Sequence, residues 1–107
     1  MTQGLPVGVG VAALIRLDGR GRVDDARMAF GGVGATPVRV PAAEDRLLGA
    51  EPTPERISEG AEAARDALDP QSDAFVSGTY RRHLAGVLAR RALVRAVARA
   101  MSSTEAH

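Results

Sequence analysis

A chain of 107 residues, 45% hydrophobic and 25% charged, suits one domain with a single modest core and is too apolar for the disordered class. The absence of cysteine excludes disulfides, thiolate metal ligands and thiol nucleophiles. No apolar run approaches the roughly 20 residues of a membrane span, and MTQGLPVG lacks the basic start and apolar core of a signal peptide, so a cytoplasmic location is expected.

All 14 basic residues are arginine, and the formal charge is only +1. The charge is nevertheless segregated: residues 1–43 carry a net +2, residues 44–73 a net −6, and residues 79–101 six arginines with no acid. Acidic and basic segments of equal magnitude are expected to neutralise each other when the chain folds.

In chain order, LPVGVGVAALIRL (5–17) alternates. Val7, Val9, Val11, Ala13, Ile15 and Leu17 fall on one face at period two, the signature of a strand. Asp18-Gly19-Arg20-Gly21 is a turn, and RVDDARMAF resumes an extended pattern with Ala26, Met28 and Phe30 on a common side, giving an antiparallel pair. After Gly31-Gly32-Val33-Gly34, ATPVRV offers a short third strand in which Pro37 favours a sheet edge.

The period then changes. Pro41 suits a first helical position, Leu47 and Leu48 give a short helix its apolar side, and Gly49 suits the residue after its end. Thr53, Pro54 and Glu55 signal the start of a second helix, along which Ile57, Ala61, Ala64 and Leu68 recur before Asp69-Pro70 stops it. After PQSDAFVSG, a long helix is expected from about Thr79 to Met101, followed by an unstructured tail over 102–107. Strands first and helices afterwards predict an α+β domain over residues 1–101, with an antiparallel sheet covered on one side by helices.

Several motifs invite chemistry. Gly8-x-Gly10-x-x-Ala13 matches a relaxed dinucleotide fingerprint, but that motif needs a preceding strand and a helix opening through it, whereas here the strand alternation continues. Gly31-Gly32-Val33-Gly34 lacks the Lys-Ser/Thr of a phosphate loop and reads as a turn. Asp73, Ser77 and His83 supply the residue types of a hydrolase triad without the strained nucleophile turn, so Asp73 and Ser77 are expected to cap the last helix and His83 to be a polar packing residue. With two histidines and no cysteine, a zinc site is not expected. Catalytic, cofactor-binding and metal residues are accordingly all predicted as none.

At 100° per residue, Arg81, Arg95 and Arg99 share a side of the last helix. Arg82 and Arg90 point elsewhere, and Arg91 sits amid an apolar arc of Tyr80, Leu84, Val87, Val94 and Met101. Ala85, Ala89, Ala92 and Ala96 form a further, small-residue face. That distribution predicts a helix contacted on several sides, whose arginine stems cover apolar surface and whose guanidinium groups reach carboxylates. The alternative is a basic module that binds nucleic acid through Arg81, Arg82, Arg90, Arg91, Arg95 and Arg99. A free-standing hydrolase using Ser77 and His83 is the third reading.

Taken in order, the VGVGVAALIRLDGRGRVDDARMAFGGVGATPVRV run, PAAEDRLLG, the alanine-rich acidic helix ending LDPQSD, and SGTYRRHLAGVLARRAL resemble one family. It is the C-terminal domain of the flavoprotein (medium) subunit of molybdenum hydroxylases, the group of carbon monoxide dehydrogenase and xanthine dehydrogenase. The resemblance covers about Val7 to Ala100. It implies three or four antiparallel strands with about three helices packed on one side. It also implies a complex in which partner subunits hold molybdopterin and iron-sulfur clusters and the medium subunit holds FAD, mainly in two lobes that precede this domain. Neither lobe has a counterpart in these residues, so this chain alone is expected to bind no FAD and to catalyse nothing. Its partners would be the flavin-binding lobes and the iron-sulfur and molybdopterin subunits, or a second copy of itself.

Overall fold

The computed structural model describes residues 9–33, 37–70, 72 and 77–105. Strands β1 (Gly10–Leu17) and β2 (Val23–Gly31) form an antiparallel ribbon, and β3 (Val38–Arg39) joins the far side of β2, giving the order β1-β2-β3. Helices α1 (Pro41–Leu47), α2 (Pro54–Ala67) and α3 (Gly78–Glu105) follow. The α+β architecture read from the sequence is the one observed. Residues 5–8 and Gly34, included in the expected strand and turn, lie outside the described residues.

The register pairs Ala13 with Met28 and Ile15 with Ala26, with an irregularity between Arg16 and Leu17. One face of the ribbon therefore carries Ile15, Ala26, Met28 and Phe30, all buried under the helices, while Ala12, Leu14, Arg16 and Arg27 stay exposed on the other. The hairpin turn is held by the Asp18 carboxylate, whose Oδ1 accepts from the backbone N–H groups of Arg20 (2.8 Å) and Arg22 (3.0 Å). Those two hydrogen bonds lower the Asp18 pKa. Gly21 closes the turn at φ +77°, a left-handed conformation that costs glycine nothing.

Helix α3 packs along β1, α1 packs on β2, and α2 joins α1 to α3. Thr53 caps α2 by accepting from the Arg56 N–H at 3.2 Å, with Pro54 in the first turn. Ile57, Ala61, Ala64 and Leu68 are buried, as their spacing predicts. Of the two leucines expected on the apolar side of α1, Leu47 is buried and Leu48 is exposed, a correction to the expected pair. Leu48 has already left the helix in an extended conformation, so its side chain turns away from the face that Leu47 fills. The following Gly49, at φ +79°, lets the chain turn back so that its N–H reaches the Val23 carbonyl at 2.8 Å. Helix α3 runs on through Glu105, past the tail boundary expected at residue 102. Extending an existing helix adds a hydrogen bond for each residue fixed, without a new nucleation cost.

Ala35 and Thr36 of the expected third strand lie outside the described residues; of the rest of that run, Pro37 and Val40 are not in the strand, which covers Val38–Arg39. Pro37 has no N–H to give, and Val40 is already the residue before α1. The outer side of β2 is completed by other groups. The Glu44 carboxylate of α1 accepts from the Met28 N–H through Oε2 at 3.0 Å. It also takes two hydrogen bonds from Arg39 of β3, Nε to Oε2 at 3.1 Å and Nη2 to Oε1 at 2.7 Å. Farther along, the Val23 N–H donates to the Ala50 carbonyl at 2.9 Å. Strand, side chain and loop thus take turns as partners of one edge.

Among the described residues Glu44 is the one charged residue in the buried set, while the Arg39 side chain is 59% exposed. Burial pushes the Glu44 pKa up. The Arg39 hydrogen bonds, the Met28 N–H and the Arg39 charge outweigh it, and the net shift is downward. A carboxyl whose pKa is lowered by folding stabilises the fold at pH values above its unfolded pKa, and that contribution fades as pH falls through the folded pKa. Glu44→Ala leaves the Met28 N–H buried without an acceptor and is expected to lower unfolding free energy by about 1–3 kcal/mol at neutral pH. Glu44→Gln, which keeps an acceptor oxygen, costs less. In urea titrations the gap between wild type and Glu44→Gln narrows as pH drops through the acid range. A gap that widens there contradicts the assignment.

Candidate docking surface

The start of α3 decides the triad question. Ser77 Oγ accepts from the Tyr80 N–H at 3.0 Å, a helix cap, and His83 lies six residues farther on. Six residues along a helix mean about 9 Å of rise and roughly 240° of rotation, so the structure does not bring these two side chains together. Asp73 lies outside the described residues. His83 is exposed rather than packed, a correction, and lines a groove between α2 and α3 with Glu62, Arg65 and Arg90. The groove is about 170 Å³. Among the described residues, no three His, Asp or Glu side chains gather as a metal site would need.

The glycine motifs are resolved by their backbone. Gly10 and Ala13 lie within β1, and Gly31-Gly32 leads from β2 toward β3. Neither run of described residues opens a helix, so neither offers the helix N-terminal N–H groups that hold a pyrophosphate.

The arginines of α3 meet the sequence expectation in part. Arg82 ties the helix to the end of α2, donating from Nε to the Leu68 carbonyl at 2.9 Å and from Nη2 to Asp69 at 3.3 Å. Arg99 donates to the Ala13 carbonyl of β1 at 3.4 Å. Among the described residues, Arg90, Arg91 and Arg95 make no ion pair. The broad neutralisation of the basic helix by the acidic segment does not occur there. The carboxylates are engaged closer to home: Glu44 with Arg39, Glu59 with Arg56, and Asp66 with Arg65. Short sequence separation, five residues or fewer, lets such pairs form locally, whereas α3 reaches the acidic segment through Arg82, which pairs with Asp69 at the end of α2.

The apolar faces of α3 are reversed. Buried are Ala85, Ala89, Leu93, Ala96 and Val97. Exposed are Tyr80 (49%), Val94 (47%) and Met101 (52%). Small side chains let a helix axis approach its neighbours closely, so the alanine face turned inward. The larger residues of the expected apolar arc were left outside or, for Leu84 and Val87, half-buried.

Residues 8–96 match the CO dehydrogenase flavoprotein C-terminal domain. The chain belongs to that family. It is 39% identical over 92 residues to the medium subunit of nicotine 6-hydroxylase of Paenarthrobacter nicotinovorans, covering 86% of this chain and 32% of that protein. Quinoline 2-oxidoreductase from Pseudomonas putida 86 superposes with a TM-score of 0.80 at 32% identity, over 87% of this chain and 32% of that one. Carbon monoxide dehydrogenase from Hydrogenophaga pseudoflava does so with a TM-score of 0.78 at 36% identity, over 85% and 31%. The chain therefore spans about a third of the length of these relatives. It has the fold of the C-terminal domain of a molybdenum-hydroxylase flavoprotein subunit. No helix among the described residues is long and apolar enough to cross a membrane.

Within this family domain, the start of α3 is also a packing constraint that the sequence did not reveal. The Gly78 N–H donates to Ser72 Oγ at 2.6 Å, and a Cβ added at Gly78 would run into the Pro70 carbonyl oxygen. Helix propensity alone predicts that Gly78→Ala stabilises the chain by about 1 kcal/mol. The contact predicts the opposite sign, a loss of about 1–3 kcal/mol, measurable by urea denaturation. A stabilised Gly78→Ala would show that the loop after α2 gives way freely.

Proposed function

We propose that this chain serves as a non-catalytic docking domain of a molybdenum-hydroxylase flavoprotein subunit, packing against the flavin-binding lobes and neighbouring subunits of a cytoplasmic complex. The reading is supported chiefly by the family match across residues 8–96, set beside the third of its relatives' length that the chain spans. Relatives bear the names medium subunit and complex subunit alpha, which favours a working assembly. FAD in the parent subunit would be held mainly by the lobes, with molybdopterin and iron-sulfur clusters in partner subunits. The domain would contribute surface, not reacting groups.

The test is co-purification. The nicotine 6-hydroxylase medium subunit, cut back to the part that precedes its matching C-terminal domain, is co-expressed with this chain carrying an affinity tag. Retention of the flavin-containing lobes on the tagged chain is expected, with flavin absorbance in the eluate. A tagged chain that elutes alone, folded and without flavin, would sink the docking reading.

A further inference from the structure

The apolar stripe left outside on α3 has a regular spacing. Tyr80, Val87, Val94 and Met101 stand seven residues apart, so each is offset from the last by only about 20° around the helix. Over 21 residues the four side chains stay within about a 60° arc and extend for roughly 32 Å. Three of them are about half exposed and Val87 is partly so. An apolar residue at every seventh position is one of the two seam positions of a heptad and forms a ridge along which another helix can pack.

The charges beside the seam say what kind of helix fits. Arg90 and Arg91 stand about 50° to either side of the line joining Val87 and Val94, and Arg95 lies farther round, about 90° from that line on the Arg91 side. All three are exposed and, among the described residues, without an ion pair. Residues 79–104 contain no acid. A second copy of α3 laid antiparallel along the stripe would set Arg90 and Arg91 against their own counterparts near the crossing. A parallel copy would do the same. Like charges so placed oppose pairing, whereas carboxylates flanking an apolar ridge would meet free guanidinium groups.

We propose that the exposed stripe of α3 receives an amphipathic helix of a protein partner, with apolar residues against Tyr80, Val87, Val94 and Met101 and carboxylates against Arg90, Arg91 and Arg95. This rests on the docking reading above and names its surface and the partner's chemistry. The regular spacing also separates it from phosphate binding: a groove reader of nucleic acid gains nothing from an apolar line running between its arginines.

The probe is a helical peptide with leucine at every seventh residue and glutamate at the flanking positions, compared with a twin carrying lysine in place of glutamate. Binding to the full chain is followed by fluorescence anisotropy. The acidic peptide is expected to bind with an affinity that falls as salt rises, and its lysine twin at least about tenfold more weakly. Val94→Glu and the pair Arg91→Glu with Arg95→Glu are each expected to cost about tenfold or more. Leu14→Glu, on the exposed face of the sheet, should leave binding unchanged. All these positions are exposed, and circular dichroism checks that the variants keep their helix content. Three outcomes overturn the proposal. One is equal binding of both peptides or none of either. Another is a wild-type dimer in sedimentation that Val94→Glu dissolves. The last is duplex DNA binding that matches the acidic peptide and is lost with the same variants. In the co-purification assay, Val94→Glu should release the lobes. Lobes held equally by wild type and Val94→Glu overturn the stripe as their seat while leaving the docking reading standing.

Discussion

The carboxylate of Glu44 lets a sheet with a two-residue third strand behave as a closed layer. Val38 and Arg39 of β3 pair with Phe30 and Ala29 of β2 and then the chain turns into α1. At Met28 the next partner is a side chain from that helix. A buried backbone N–H without an acceptor costs about as much as a whole family of surface contacts can supply, so this one residue fixes how α1 must sit on β2. Once α1 is placed, Leu47 is driven into the core. Gly60 of α2 lies so close to it that an added Cβ would stand 3.3 Å from Leu47 Cγ.

The same rung of the ribbon is finished on its other side by a charged group of the opposite sign. Ala13 pairs with Met28, and since the Met28 N–H points toward Glu44, the Ala13 carbonyl faces the free edge of β1. There Arg99 of α3 reaches it, at the long distance of 3.4 Å. One helix supplies an acceptor to one edge and another supplies a donor to the other. The two are not equal in strength. Glu44 is buried and makes three hydrogen bonds, whereas the Arg99 contact is solvent-exposed and weak, so α3 is held to β1 by packing more than by polar groups.

Local signals made much of this fold legible. Period-two alternation marked β1 and β2 with the correct inward residues, and Thr53-Pro54 marked the start of α2. The family resemblance extended the reading to the whole arrangement and agrees with the match over residues 8–96. What stayed hidden depends on contacts distant in sequence. Glu44 and Asp45 are adjacent acids in a short helix, and nothing local says that the first meets Met28, sixteen residues earlier, while the second stays in water. The clash awaiting a side chain at Gly78 is invisible for the same reason. Segment charges pointed to an acidic layer over α3, but electrostatic balance across a sequence does not specify geometry, and Glu44, Glu59 and Asp66 took nearer arginines.

The orientation of α3 follows from a competition that hydrophobicity alone resolves the wrong way. Tyr80, Val94 and Met101 are larger and more apolar than alanine, so burying them would remove more apolar area from water. Against that, the helix must lie along β1 and α2 simultaneously, and a face of Ala85, Ala89 and Ala96 around Leu93 lets both neighbours approach without displaced side chains. Close packing over many small contacts prevails inside the domain, and the larger residues gather outside at a spacing fit for another helix. Two apolar faces on one helix leave one for the domain's own core and, on the docking reading proposed above, the other for a neighbour's.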